Sequence, residues 1–109
     1  MKKEILLNWI NALESNKYHP QRGRLHGESG YCPLGVLCDI SGLDKWVKVD
    51  NDFLYLGQRN YLPKDVLDWA ELKGKERGDM PFIIMSLFDQ GTSIENIIKH
   101  IKKSYKLND

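Results

Sequence analysis

The apolar positions along the chain change period several times, and each change marks an element. Over residues 3 to 16, Ile5, Trp9, Ile10 and Leu13 fall on one broad face at about 100° per residue. Lys3, Asn11 and Glu14 lie towards or beyond its borders, so the segment reads as an amphipathic helix. The pattern fails at Asn16. Pro20, Gly23, Gly27 and Gly30 then break regular structure between Tyr18 and Gly30, with room for a short extended piece at Arg24 to His26. Cys32, Leu34, Val36, Leu37, Cys38 and Ile40 form the most apolar short window of the first half. Pro33 suits a first helical turn and Gly42 a stop, which predicts a short buried helix from about 33 to 41. Both cysteines read as small hydrophobes in that helix.

Further on, Val47 and Val49 alternate with Lys48, Asp50 to Asp52 carry turn chemistry, and Phe53 to Leu56 is apolar again. This reads as a β-hairpin. Pro63 opens a second short helix through Val66, Leu67 and Trp69. Lys73 to Asp79 reads as a loop, followed by an apolar helix that starts at Pro81 and ends at Gly91. Thr92-Ser-Ile-Glu95 resembles a capping box with Thr92 as the cap. The last helix carries Ile94, Ile97, Ile98, Ile101 and Tyr105 on one stripe. There is no repeat, linker or low-complexity tract. The expected architecture is α+β: one small, helix-dominated domain over residues 1–109 with a short β-hairpin or small antiparallel sheet.

Composition narrows the function classes. A chain of 109 residues makes one domain and buries roughly two-thirds of its unfolded surface without needing staples. Lys plus Arg number 16 against 15 Asp plus Glu, so no global field draws the molecule to a polyanion. Position sharpens this. Residues 1 to 30 carry five positive and three negative charges, residues 39 to 80 seven and nine, and residues 99 to 109 four and one. Basic ends flank a mildly acidic middle, which favours a local anion site over general polyanion binding. Lys2 and Lys3 precede Ile5 to Leu7, but Asn8, Asn11 and Glu14 interrupt that run and no cleavage site follows, so no secretory signal is expected. No apolar stretch reaches membrane-span length. With two cysteines and no export signal, the expectation is a soluble protein with reduced thiols in the cytoplasm of a bacterial host cell, without membrane association.

Certain residues carry a family likeness. They are Gln21-x-Gly23-x-Leu25, then Tyr31-Cys-Pro-Leu-Gly-Val-Leu-Cys-Asp39, then Leu62-Pro63 with Val66 and Trp69, then Leu87-Phe-Asp-Gln-Gly91 ahead of Ile94 to Ile98. Together they resemble a family of small bacteriophage and prophage proteins. In that family a Cys-Leu-Gly-x-Leu-Cys core follows a Gln-Gly-x-Leu stretch, and Leu-Asn-Asp-x-Gly precedes the final helix. The likeness runs from about Trp9 to Ile101. This chain departs from it at Cys32-Pro33, where adjacent cysteines are usual, and at Leu87-Phe88-Asp89. The resemblance implies a phage-type accessory protein that blunts a host defence, and it brings no particular chemistry with it.

The richest candidate site is the polar stretch from Tyr18 to Tyr31. Arginines grip phosphate or carboxylate in bidentate fashion, tyrosine and histidine offer flat faces to a base, and glycines let backbone approach an anion. The expected ligand contacts are Tyr18, Gln21, Arg22, Arg24, His26 and Tyr31, with Trp46 as an aromatic wall. The plain alternative is a solvated loop whose arginines face water. Lys73-Gly-Lys-Glu-Arg-Gly78 could hold an anion ahead of a helix at Pro81, although it lacks P-loop spacing. Lys99, Lys102, Lys103 and Lys106 form a basic ridge on the last helix, which suits phosphates or simply a helix C-terminus. Cys32 and Cys38 with His19, His26 and His100 do not have structural zinc spacing, and nothing marks either thiol as activated. Asp50-Asn51-Asp52 is too short for a calcium loop. The leading expectation is a binding protein without turnover for a small anionic, nucleotide-like ligand or a host protein, with no cofactor and no metal. A nucleic-acid-associated protein using the lysine ridge is the alternative, and a Cys-dependent enzyme comes third. Self-association is left open.

Overall fold

The computed structural model describes residues 1–107. Helix α1 (Lys3–Glu14) buries Ile5, Leu6, Trp9, Ile10 and Leu13, the predicted stripe with Leu6 added. It ends at Ser15, and Asn16 then turns left-handed with φ 60°, a conformation asparagine tolerates better than most residues. Trp9 is fully buried, and its indole N–H donates to the Pro33 carbonyl at 2.8 Å. That bond ties α1 to the first turn of α2 (Pro33–Ser41).

Helix α2 follows its prediction closely, with Pro33 in the first turn and Gly42 left-handed at the end. Both thiols are buried. Cys32, however, stands at the N-cap, where its sulfur accepts from the Gly35 amide at 3.4 Å. Gly35 has a separate role. A Cβ there would lie 1.9 Å from the Leu25 carbonyl oxygen, so only glycine lets the preceding chain lie against this helix.

The glycine-bearing stretch is more regular than its sequence suggests. It supplies β1 (His26–Gly27) and β2 (Gly30–Tyr31), which join the predicted hairpin of β3 (Val47–Val49) and β4 (Asp52–Leu54). The four strands form one antiparallel sheet in the order β2-β1-β4-β3. Asp50, at φ 56°, makes the hairpin turn. Gly30 has φ 155° and its missing side chain leaves room for the His19 carbonyl, which accepts from the Tyr31 amide at 2.7 Å.

Helices α3 (Lys64–Trp69), α4 (Gly74–Asp89) and α5 (Ile94–Ser104) complete the described chain. Three expectations differ from the structure. Residues 74–79 are helix, not loop, and Pro81 lies inside α4 rather than at its start. Proline at that point removes one intrahelical hydrogen bond, to the Arg77 carbonyl. The helix nevertheless continues because Pro81, Ile84 and Phe88 are all buried on its inner side. Glu76 in its first turn also suits the positive end of the helix dipole. The cap of α5 is Ser93, not Thr92, with Ser93 Oγ accepting from the Asn96 amide at 3.2 Å.

The core lies among α1, α2, α4 and α5, and the sheet attaches beside α2. The chain is thus an α+β fold with a small antiparallel sheet. Among the described residues, no helix is long and apolar enough to cross a membrane.

Candidate binding face

The sheet register sorts the predicted site residues onto two faces. His26 lies opposite Tyr31 on β2 and opposite Phe53 on β4, and Phe53 lies opposite Lys48 on β3. Directly opposed side chains share a face. The His26 ring stacks on Tyr31 with centroids 3.7 Å apart and on Phe53 at 4.2 Å. Lys48 Nζ stands 6.0 Å from the Phe53 centroid. Trp46 meets His26 edge-on at 4.9 Å, and Tyr18 meets Tyr31 edge-on at 5.0 Å.

Asp39, near the end of α2, anchors this cluster. It accepts from the Tyr18 hydroxyl at 2.6 Å and from the Trp46 indole at 3.0 Å. Burial first, and then the bond to Asp39, push the Tyr18 hydroxyl well above the usual tyrosine range. Burial followed by the Asp39 charge raises Tyr31 too. Both hydroxyls therefore keep their protons at neutral pH. His26 Nδ1 lies 2.6 Å from the Gly30 carbonyl, which only accepts, so Nδ1 carries the proton and in a neutral ring Nε2 is the free acceptor. Tyr18, His26, Tyr31 and Trp46 are thus brought together, as expected. Their rings pack on one another, however, and His26 has a ring against each face. His26 therefore has no open ring face to offer a base.

The opposite face is polar. Gly27 pairs with Gly30 and with Asp52, and Asp52 pairs with Val49. Alternation along β1 and β4 sets these residues on the side away from His26 and Phe53. The Arg24 side chain crosses Gly27, its Cδ 3.0 Å from where a Cβ would stand, and forms an ion pair with Asp52. Arg59 Nε meets the other Asp52 oxygen at 3.2 Å. The Asp52 side chain is 14% exposed, against 38% for Arg24 and 49% for Arg59. One sunken carboxylate therefore orients two more exposed guanidiniums. Each guanidinium has five N–H donors, so most of the ten remain for another acceptor. Arg24 Nε is buried without a partner. Val47 and Val49 sit exposed on this same face.

Gln21 and Arg22 do other work. Gln21 Oε1 accepts from the Ser29 amide at 3.1 Å and its Nε2 donates to the Arg22 carbonyl at 3.2 Å, closing the turn around Gly27. Arg22 points to the end of α4, donating to the Phe88 carbonyl at 2.7 Å and the Thr92 carbonyl at 3.1 Å. Its guanidinium also lies 4.5 Å from the Phe88 ring centroid. Arg22 satisfies carbonyls that a helix C-terminus leaves open. It therefore stands apart from Arg24. Four residues that shape the two faces were absent from the sequence-predicted set. Asp52 reads as turn chemistry, Asp39 and Phe53 as parts of their elements, and Arg59 follows the hairpin without any motif. The strand register reveals Asp52 and Phe53, and side-chain bonds across the fold reveal Asp39 and Arg59.

The alternative chemistries fare differently. Burial pushes the Cys32 thiol up to about 11, and burial raises Cys38 further. Neither supplies a thiolate at neutral pH, which a cysteine nucleophile requires. Among the described residues, no group of three or more His, Cys, Asp and Glu side chains is placed to hold a metal ion. The loop expected at Lys73 to Asp79, and with it the possible anion site ahead of a helix at Pro81, is overturned, because Gly74 onward is helix and no helix starts at Pro81. On α5, Lys99 and Lys103 are exposed, whereas Lys102 pairs with Glu14 at 3.4 Å.

The model of one protein family, a domain of unknown function designated DUF8296, matches residues 1–109. No curated protein and no solved structure matches the chain.

Proposed function

The chain belongs to the DUF8296 family, and we propose that it is a binding protein without catalytic turnover, holding the anionic part of a small ligand between Arg24 and Arg59. The carrying observation is the shared carboxylate: Asp52 fixes two guanidiniums on one exposed sheet face while leaving most of their donors free. Fixed guanidiniums suit phosphate, which they bind in bidentate geometry without first losing side-chain freedom. A phosphate-bearing, nucleotide-like ligand meets this requirement. Val47 and Val49 offer its organic part an apolar surface on the same face. The aromatic cluster supports the sheet from behind and takes no part in base stacking in this reading. On the resemblance to phage and prophage proteins, the biological role we propose is capture of a ligand on which a host defence depends.

A thermal-shift series with pyrophosphate, mononucleotides and cyclic nucleotides tests the reading. At a hundredfold excess over Kd, a single-site ligand stabilises by about 2.7 kcal/mol, a rise of roughly 10 °C for a domain of this size. Arg59→Gln is expected to abolish that rise while moving the unliganded melting temperature by no more than about 2 °C. No shift with any of these compounds, or an equal shift in the variant, contradicts the proposal.

A further inference from the structure

The outer surface of α4 has features that the isolated chain does not explain. Phe82 is 69% exposed in the middle of the helix, and Tyr61 beside it is 66% exposed. With Leu62, Leu67 and Met85 they line a groove of about 260 Å³ between α3 and α4. One turn before Phe82 stands Gly78, where an added Cβ would meet nothing within 4 Å. Glycine inside a helix costs stability relative to alanine. Nothing among the described residues requires one here.

The residues around Phe82 form a nearly symmetric series. Gly78 and Ser86 lie four residues to either side of Phe82, and Lys75 and Asp89 seven. At 3.6 residues per turn, all five fall within about 40° of one line along the helix, on the side opposite the buried Ile84, with Phe82, Gly78, Lys75 and Asp89 exposed and Ser86 half-buried. We propose that this stripe is the interface of a two-fold symmetric dimer of the chain, with the two copies of α4 antiparallel and crossing at Phe82. In that arrangement Lys75 faces the partner's Asp89, whose Oδ1 accepts from its own Gly23 amide at 3.0 Å so that Oδ2 is the oxygen turned to the lysine, and Gly78 faces the partner's Ser86. Small residues on both sides let the helix backbones approach, and the two Phe82 rings fill the grooves that flank them. A parallel crossing would set lysine against lysine and aspartate against aspartate, so charge selects the antiparallel one. A surface that complements itself about a two-fold axis is the commonest basis of closed homodimers.

Equilibrium sedimentation of the full chain tests this. The wild type is expected to reach twice its 12.7 kDa mass as concentration rises. Phe82→Ser is expected to stay single at the same concentrations. Gly78→Leu gives the decisive arm, because its two effects oppose each other. The side chain points into open space in one copy, so melting temperature holds or rises, while association weakens by at least about tenfold. Lys75→Asp is expected to weaken association and the double variant Lys75→Asp/Asp89→Lys to restore it. A wild type of single mass at every concentration overturns the proposal, and so does wild-type association by Gly78→Leu.

Discussion

Gly35 shows how one residue's missing side chain sets a local fold. Its helix lies so close to the Leu25 carbonyl that any Cβ would overlap the oxygen at 1.9 Å. Gly35→Ala is expected to destabilise the chain by about 2–4 kcal/mol in urea unfolding, because backbone on both sides has to move. The thiols make a second prediction at this scale. Burial raises Cys32 from its ordinary value of 9.0 to about 11, so the folded chain holds that proton more tightly than the unfolded chain does. The resulting stability is fully present below about pH 9. It is lost as pH rises towards 11, because the unfolded state ionises first. Urea midpoints measured from pH 8 to 11 should fall across this window, and Cys32→Ala should flatten part of the fall. A wild-type midpoint that holds constant to pH 11 would show that burial does not perturb the thiol.

At the scale of elements, hydrophobic period was a reliable guide where packing is one-sided. The stripes of α1 and α5 and the Pro33–Gly42 bounds of α2 were legible because apolar spacing and caps agree there. The start of α4 was not. Lys73 to Asp79 is polar and holds two glycines, so local composition reads as a loop. Tertiary contacts reverse that reading, with Arg77 paired to Asp68 at 2.7 Å and Pro81 packed into the core. The cap of α5 shifted by one residue because Thr92 and Ser93 both suit the position and only backbone geometry chooses. Ser93→Ala is therefore expected to cost about 1 kcal/mol and Thr92→Ala less than half of that, by chemical denaturation. Equal costs, or the reverse order, would restore Thr92 as the cap.

Across the whole molecule, the sheet divides what the sequence presents as one site. Tyr18 to Tyr31 contains arginines and aromatic side chains within a few positions, and composition alone merges them. Strand alternation sends Asp52 to one face and His26 with Tyr31 and Phe53 to the other, and Arg24, in the bend before β1, reaches the Asp52 face across Gly27. Arg22 leaves for the end of α4, a destination 66 residues further along the chain that no local motif announces. The polar face, not the ring cluster, is the face proposed to receive the ligand. The most direct measurement is an NMR titration of the uniformly labelled chain with whichever phosphate compound gives the largest thermal shift. Shifts are expected at the Arg24 and Arg59 Nε–H signals and at the Gly27, Val49 and Asp52 amides, with the Trp46 indole signal still. Shifts centred on Trp46, Tyr31 and Phe53, with both guanidinium signals unmoved, would contradict it.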